Sequence, residues 1–541
     1  MHQQVEEHAA LRPDTPAVRV LTEDGRWHST SWRELRDLAA GAARWAGRTA
    51  GLDSPVVLVL DNSAESLAVF LGLTAASVDL LCLEANSSHL NAERSVARRV
   101  GARHVIGPDG DSGMTPHTEL TPYAELTSHT EPTPYAELTP YAELLGNPGG
   151  PLRAPDRNPE ILGVTSGSTG APRIVRQHLA NIERGGRLYG ETYGYTPADR
   201  LLGPIPMAHS FGMMGLLAGA LTAGAQIVTV PRFSVSAVHT AIAEGATVLL
   251  GTPLIYRILA MASPPTGSGT ALRALLSSGG PLPPGTRERA EHVFGLPVHQ
   301  IYGSTEAGVI ACQYDREEPW PERVAGRIHP SAAWRIAPTG AEGEPESTAA
   351  PTGTGAGAVT GRLLVRTTML FTGYLDDVDT DVDASEGDHA SAGDAPARDV
   401  FDEDGLYDTG DLVTIDASGV LTVLARKSTF INVGGRKVDP GRVGDALGTH
   451  ADVLEAHVFG HEEDGEESVH AAVVLRGRQG GVEDLLTHLR GRLAAYEVPH
   501  RVHVLSALPR TTLGKPDLTA VKRACALLPA GAARTPVGDR P

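Results

Sequence analysis

Ile161-Leu162-Gly163-Val164-Thr165-Ser166-Gly167-Ser168-Thr169-Gly170-Ala171-Pro172-Arg173-Ile174-Val175 is the stretch on which the fold turns. An apolar run enters a Ser/Thr/Gly hexamer and a second one leaves it. The two glycines let the backbone turn its N–H groups inward, and the hydroxyls add further donors. Such a loop cradles phosphate oxygens, with Arg173 at hand to neutralise their charge; a Ser/Gly-rich hairpin turn is the competing reading of the hexamer alone. Downstream to Val309, apolar runs at Leu201–Ile205, Ala225–Val230, Thr247–Leu250 and Leu272–Ser277 alternate with helix-length segments. That rhythm predicts a doubly wound parallel sheet. Upstream, Pro55–Leu60, Leu80–Leu83 and His104–Ile106 alternate in the same way with helical patterns over Trp32–Arg48 and Ser63–Leu73.

Residues 331–424 change character: short β-like runs at Trp334–Ile336, Gly361–Arg366, Leu412–Ile415 and Val420–Leu424 predict a small β-barrel-like unit. Beyond Arg426, helical patterns over Pro440–Leu447 and Val482–Leu493 flank strands at Val453–Phe459 and His470–Leu475. The predicted fold class is therefore α/β, with a large N-terminal domain of doubly wound sheets plus the β unit (1–425), followed by a small mobile α+β domain (426–541). Two segments stand outside this plan. Residues 115–144 spell TPHTEL, TPYAEL, TSHTEP, TPYAEL and TPYAEL, whose prolines forbid a continuous helix, and are expected to form a surface or disordered insert. The acidic stretch 376–408 is expected to be a solvated loop.

Composition narrows the function. With 46 basic and 65 acidic residues the formal charge is −19 on 541 residues, which disfavours a nucleic-acid partner. Three cysteines are too few for a disulfide framework. MHQQVEEHAALRPD (1–14) lacks a charged-then-apolar signal pattern, and the longest apolar window, Gly212–Val230, is interrupted by glycines, Thr222 and Gln226, so neither a signal peptide nor membrane insertion is expected. A cytoplasmic protein is the expectation. Only four of the basic residues are lysines, namely Lys427, Lys437, Lys515 and Lys522. Where arginine dominates so heavily, a lysine can mark a site arginine cannot serve.

Further motifs follow in order. Tyr302-Gly303-Ser304-Thr305-Glu306 places a carboxylate just past the apolar stretch Val298–Ile301, at a strand end where α/β folds bind ligands. Asp408-Thr409-Gly410-Asp411 offers a second carboxylate suited to ribose hydroxyls, and Pro509-Arg510-Thr511-Thr512-Leu513-Gly514-Lys515 sets a lysine on a glycine-containing loop. These strings, together with PMAHSFG (206–212) and SSGGPLP (277–283), resemble in order and separation the adenylate-forming superfamily of acyl- and aryl-CoA synthetases, adenylation domains and luciferases. The resemblance spans Ile161 to Lys515.

The resemblance implies a carboxylic acid activated by ATP to acyl-AMP, then transferred to a thiol. It implies that Thr165, Ser166, Gly167, Ser168, Thr169 and Gly170, with Arg173, hold pyrophosphate; that Thr305 touches the α-phosphate; and that Glu306 holds Mg²⁺. Gly279, Gly280 and Tyr302 would line the adenine and Gly303 and Ser304 would belong to the same nucleotide site, with Asp411 on the ribose and Arg426 near the nucleotide. Lys515 would bridge carboxylate and phosphate, Ser428 would be the hinge, and Gly434-Gly435 would meet the thiol of CoA or of the phosphopantetheine of a free-standing acyl carrier protein. His209, Phe211 and Met213 would line the acid pocket. Phe211 is followed by Gly212 instead of the aspartate common in amino-acid-activating members, which points to an uncharged acyl or aryl acid. Ser428 stands where Asp or Lys is more usual, and Arg442 and Gly444 replace glutamates usual after the hinge, which implies altered surface pairing. Two other readings stay open: an enzyme that stops at acyl-AMP or uses a non-thiol acceptor, and a degenerate nucleotide-binding protein. Gly110-Asp111-Ser112-Gly113 and the glycines of 353–357 suggest a protease and a dehydrogenase respectively, but lack the flanking elements either would need.

Overall fold

The computed structural model describes residues 1–22, 25–49, 52, 54–84, 96–108, 138–146, 148–166, 172–230, 233–262, 271–314, 320, 324–338, 358–375, 400–426, 431–433, 436–438, 440–463, 466–476, 481–494, 496–511 and 514–527. Short runs of β-branched and leucine residues, buried on both faces, make the parallel strands Val56–Val59, Leu80–Leu83 and Val248–Gly251, every residue of which is buried. Among the described residues two large sheets form. The first has thirteen strands. Its parallel part runs Val298–Ser304, Ala274–Ser277, Val248–Gly251, Arg200–Leu202, Gln226–Thr229, Pro16–Leu21, and ends on the antiparallel strand Trp27–Ser31. The second has seven strands, in the order Gly373–Leu375, Pro172–His178, Glu160–Ser166, Leu80–Leu83, Val56–Val59, Val105–Gly107 and Leu138–Pro140.

One continuous core joins the two sheets to the helices Trp32–Ala46, Ala64–Ala75 and Leu179–Tyr193. Ser31 caps the first of these, with Glu34 returning the bond in a capping box, and the backbone and hydroxyl of Ser31 hold the Glu34 carboxyl below its usual range. The second helix is apolar on nearly every side because it is enclosed; a Cβ on its Gly72 would lie 2.4 Å from the Ala39 carbonyl oxygen of the first.

The β unit is present with its own core, yet it is no separate body. It continues the first sheet from the far edge of Val298–Ser304 through Gly308–Cys312, Val324–Ile328, Val420–Arg426, Tyr407–Ile415, Val359–Arg366 and Ala333–Ala337, all antiparallel. The C-terminal part packs the helices Pro440–Gly448 and Val482–Arg490 around a third core, against a sheet of Val453–Glu463, Glu466–Leu475 and Arg501–Val504. Cys82 and Cys312 are buried free thiols whose pKa burial pushes up to about 12. No described helix is long and apolar enough to cross a membrane.

Two expectations need correction. The hexamer segment does not end as a loose insert: Leu138–Pro140 pairs parallel with Val105–Gly107, and the last copy continues into the helix Tyr141–Leu145. Tyr141 donates to the Val59 carbonyl, and Tyr141 and Leu144, one helical turn apart, enter the main core. Residues 115–137 lie outside the described residues. The acidic stretch likewise closes as structure, because Asp402 and Asp404 pair with Arg335, and Asp408 with Arg362. Its residues 376–399 lie outside the described set, as do Gly110-Asp111-Ser112-Gly113 and the glycines of 353–357.

Leu144 is 1% exposed, so Leu144→Ala should cost about 2–5 kcal/mol in urea unfolding, whereas Ala142→Ser on the exposed face should stay within about 0.5 kcal/mol. Equal effects would return the segment to a loose insert.

Candidate active site

The parallel strands of the first sheet end side by side, and their carboxyl ends carry the motifs. Val248–Gly251 runs into Thr252, whose hydroxyl caps the helix Pro253–Met261. Ala274–Ser277 leads to Ser278, whose hydroxyl donates to the Ile301 carbonyl at 3.1 Å, and then to Gly279 and Gly280. Gly279 takes φ +93°, and a Cβ on Gly280 would meet nothing within 4 Å, so this turn leaves an open ledge.

Next along the edge, the Tyr302 hydroxyl donates to Asp411 Oδ2 at 2.5 Å, and Asp411 sits opposite Arg426 in the antiparallel ladder. Three positions scattered through the sequence thus meet. Gly303 is required by crowding, since a Cβ there would lie 2.1 Å from the Gly308 oxygen. The Ser304 hydroxyl accepts from Ala307 N–H at 3.1 Å, fixing the turn that presents Thr305 and Glu306.

A buried amide braces that turn. Gln177 donates through Nε2 to the carbonyls of Thr305 at 2.9 Å and Met369 at 3.0 Å, while Asn181 donates to its Oε1 at 3.0 Å. The Glu306 carbonyl accepts from Phe371 N–H at 2.7 Å. Glu306 is 7% exposed, and its Oε1 accepts from the Tyr374 hydroxyl at 2.9 Å. Burial first, then the charge of Glu306, raises the Tyr374 pKa, so the phenol keeps its proton. The Arg173 guanidinium lies 3.9 Å above the Tyr374 ring. Thr305 also borders the strand Glu160–Ser166, a Cβ on Gly163 falling 3.3 Å from its methyl. The strand that leads into the hydroxyl-rich sequence therefore runs beside Thr305. Thr165, next to the end of that strand, lies opposite Arg173. Ser166 and Arg426 are placed by backbone alone, and Gly167, Ser168, Thr169, Gly170, Ser428, Gly434 and Gly435 lie outside the described residues.

The segment Pro206–Gly212 is pinned by Asn62, which donates to the Ile205 carbonyl at 2.9 Å and accepts from Met207 N–H at 2.8 Å. His209 pairs with Glu84 through Nε2, and Phe211 and Met213 are buried in the main core at the start of the π-helix Phe211–Ala218. Gly212 has no room for a side chain, because a Cβ would lie 2.1 Å from the Pro206 carbonyl oxygen.

Lys515 is exposed on a loop tied to itself. Thr511 N–H donates to the Lys515 carbonyl at 2.8 Å, Gly514 N–H to the Thr511 carbonyl at 2.8 Å, and Arg510 Nη1 to the Gly514 carbonyl at 2.5 Å. Gly514, at φ +75°, lies against Leu254 on the Pro253–Met261 helix, so the loop docks on the helix that starts at this same sheet edge. Arg442, in place of a usual glutamate, is 3.5 Å from the buried Glu497. Gln177, Tyr374, Leu254 and Glu84 escaped the sequence reading, being single residues in otherwise ordinary strand or helix patterns.

A phosphate-handling α/β enzyme is the class this edge defines: open strand termini and a buried carboxylate meet beside the strand that leads into the hydroxyl-rich sequence. The chain belongs to the AMP-binding enzyme family, which it matches over residues 5–375, with the AMP-binding enzyme C-terminal domain over 443–515. It is 30% identical over 364 residues to indoleacetate–CoA ligase of Aromatoleum aromaticum, a match covering 66% of either chain. It is 27% identical to sulfoacetate–CoA ligase of Cupriavidus necator across 94% of both. The fold is that of ATP-bound MatB from Rhodopseudomonas palustris, with a TM-score of 0.75, 21% identity, and 97% and 99% of the two chains covered.

Gln177→Leu should leave the buried Met369 carbonyl and the half-buried Thr305 carbonyl unpaired, costing about 1–3 kcal/mol for the buried one in urea unfolding. Unchanged stability would show that the turn holds without its brace.

Proposed function

We propose that this protein is an AMP-forming acid–thiol ligase: it joins a carboxylic acid to ATP as acyl-AMP, then passes the acyl group to the thiol of CoA. The observation that carries the reading is the meeting of Tyr302, Thr305, Glu306 and Asp411 at one sheet edge, with the Lys515 loop docked on the helix that begins there.

In the first half-reaction a substrate carboxylate oxygen attacks the α-phosphorus of ATP. A P–O bond forms, the bond to pyrophosphate breaks, and charge gathers on the phosphate oxygens. Thr165 and the loop after it hold the departing pyrophosphate with Arg173, and Thr305 faces the α-phosphate. Tyr302 and the Gly279-Gly280 ledge bound the adenine, and Asp411 accepts from the ribose hydroxyls. Lys515 supplies a mobile positive charge where the negative charge develops. In the second half-reaction the thiol sulfur bonds to the acyl carbon, the bond to AMP breaks, and the thiol proton leaves; Gly434-Gly435 border the thiol's approach after the domain 426–541 has turned about Ser428.

Glu306 fits Mg²⁺. It is a buried hard-oxygen donor with one oxygen bonded to Tyr374, and no group of three His, Cys, Asp or Glu among the described residues is arranged to hold a metal by itself. A single carboxylate beside a nucleotide's phosphates is the usual Mg²⁺ arrangement, the ion supplying charge neutralisation when bound.

The acid is acyl or aryl and carries no α-ammonium, because Gly212 leaves no space for the aspartate that would pair with one. Indoleacetate, sulfoacetate, oxalate and 2-succinylbenzoate, the acids of related ligases, make the first panel. CoA is the acceptor, with the phosphopantetheine of a free-standing carrier protein as the comparison arm. Free buried thiols suit the reducing cytoplasm.

ATP–pyrophosphate exchange across that panel tests the reading, and silence from every acid would defeat it. Lys515→Ala should lose about 10²–10³-fold in exchange while still binding ATP; wild-type exchange would remove the lysine from the mechanism. Glu306→Gln should raise the Mg²⁺ concentration needed for half-maximal exchange, and an unshifted requirement would remove its metal role.

A further inference from the structure

Arg257 and Glu455 lie 198 residues apart in sequence and form an ion pair between the Pro253–Met261 helix and the start of the strand Val453–Glu463. The other oxygen of the same carboxylate pairs with Arg510, which also donates to the Gly514 carbonyl inside the Lys515 loop. One carboxylate thus spans two guanidiniums, one on the large domain and one at the base of the lysine loop. Leu254, three residues before Arg257 and on the same helix face, receives Gly514. The helix therefore offers the loop an apolar seat and, one turn on, a charged clasp.

The three side chains retain only 20–23% of their exposure, so this is a shielded network instead of a pair of solvated surface charges. The ladder slips register between Val453 and Glu455, which sets the Glu455 side chain where the strand enters the sheet. The nearby His457 is held neutral, burial and then the Arg510 charge lowering its pKa to about 4, so it does not compete for Glu455 near neutrality.

We propose that Arg257, Glu455 and Arg510 form a clamp that holds the Lys515 loop on the large domain for acyl-adenylate formation, and that the Arg257–Glu455 link must part for the thioester half-reaction. The proposal rests on the two-step reading above. Arg257 is a positioning residue: it acts on Lys515 only through Glu455 and Arg510. Its removal leaves the Glu455–Arg510 pair and the loop's internal bonds in place, so the loop keeps its shape and loses its dock.

Arg257→Ala separates these effects. In the full-length protein without acid, amide hydrogen exchange in peptides covering 253–261 and 509–516 should rise about fivefold or more, with 248–251 unchanged. With the panel acid that gives most exchange, ATP–pyrophosphate exchange should fall about tenfold or more, while thioester formation from the synthetic adenylate of that acid and CoA stays level or rises. Arg257→Lys should restore most of the first rate. Unaltered hydrogen exchange at the dock, or an equal fall in both half-reactions, would overturn the clamp. A wild type with neither half-reaction would instead overturn the ligase reading, and hydrogen exchange in Arg257→Ala would still show whether the clamp docks the loop.

Discussion

The strand Val298–Ser304 pairs parallel with one neighbour and antiparallel with the other, and the site depends on that change of direction. On its parallel side, successive strands deliver their carboxyl ends to a common edge. On its antiparallel side the chain reverses at once, through a contact so close that Gly303 admits no side chain, and the reversal leaves Thr305 and Glu306 at the seam. Asp411 reaches the seam because the antiparallel extension bends its fourth new strand back within hydrogen-bonding distance of Tyr302. The second sheet contributes as well, with Gln177 gripping the reversal and the strand Glu160–Ser166 running beside Thr305.

Such a seam would be costly if its polar groups were left to themselves. The carbonyls of Thr305, Glu306 and Met369 are all satisfied by Gln177 or by a backbone N–H, and the Glu306 carboxylate by Tyr374. Charge is handled in the same way elsewhere. A chain with formal charge −19 repels itself at long range, yet Asp402, Asp404 and Asp408 each face an arginine, and Glu455 faces two. The arginine-rich composition finds a structural use in planar donors that can meet two carboxylate oxygens or bridge two elements.

Much of the architecture was legible because its strands are short apolar runs buried on both faces, such as Val56–Val59 and Val248–Gly251. The run Leu201–Ile205 read as strand throughout, but the ladder stops at Leu202. The site motifs were visible as strings, since glycines and hydroxyls in sequence report a backbone shape. What held them together was not. Gln177 and Tyr374 act through single side chains against distant carbonyls and carboxylates, and no periodicity marks such a residue. Arg257 and Glu455 read as ordinary surface charges until the fold sets them face to face. The repeat misled because its prolines argued against a helix, whereas the last copy forms one and enters the core through Tyr141 and Leu144.

The burial of that last copy bears on how this chain can change over generations. Among the hexamers, the copy ending at Leu144 supplies the phenol bonded to Val59 and the leucine packed in the core. Tandem copies invite in-frame gain or loss by slippage, and any such event upstream leaves one TPYAEL unit next to Leu145 with the same neighbours. The point of attachment, Tyr141 and Leu144, then stays in place and remains under selection for packing. Variation among close relatives should concentrate in the number of copies and spare the tyrosine and leucine of the final one.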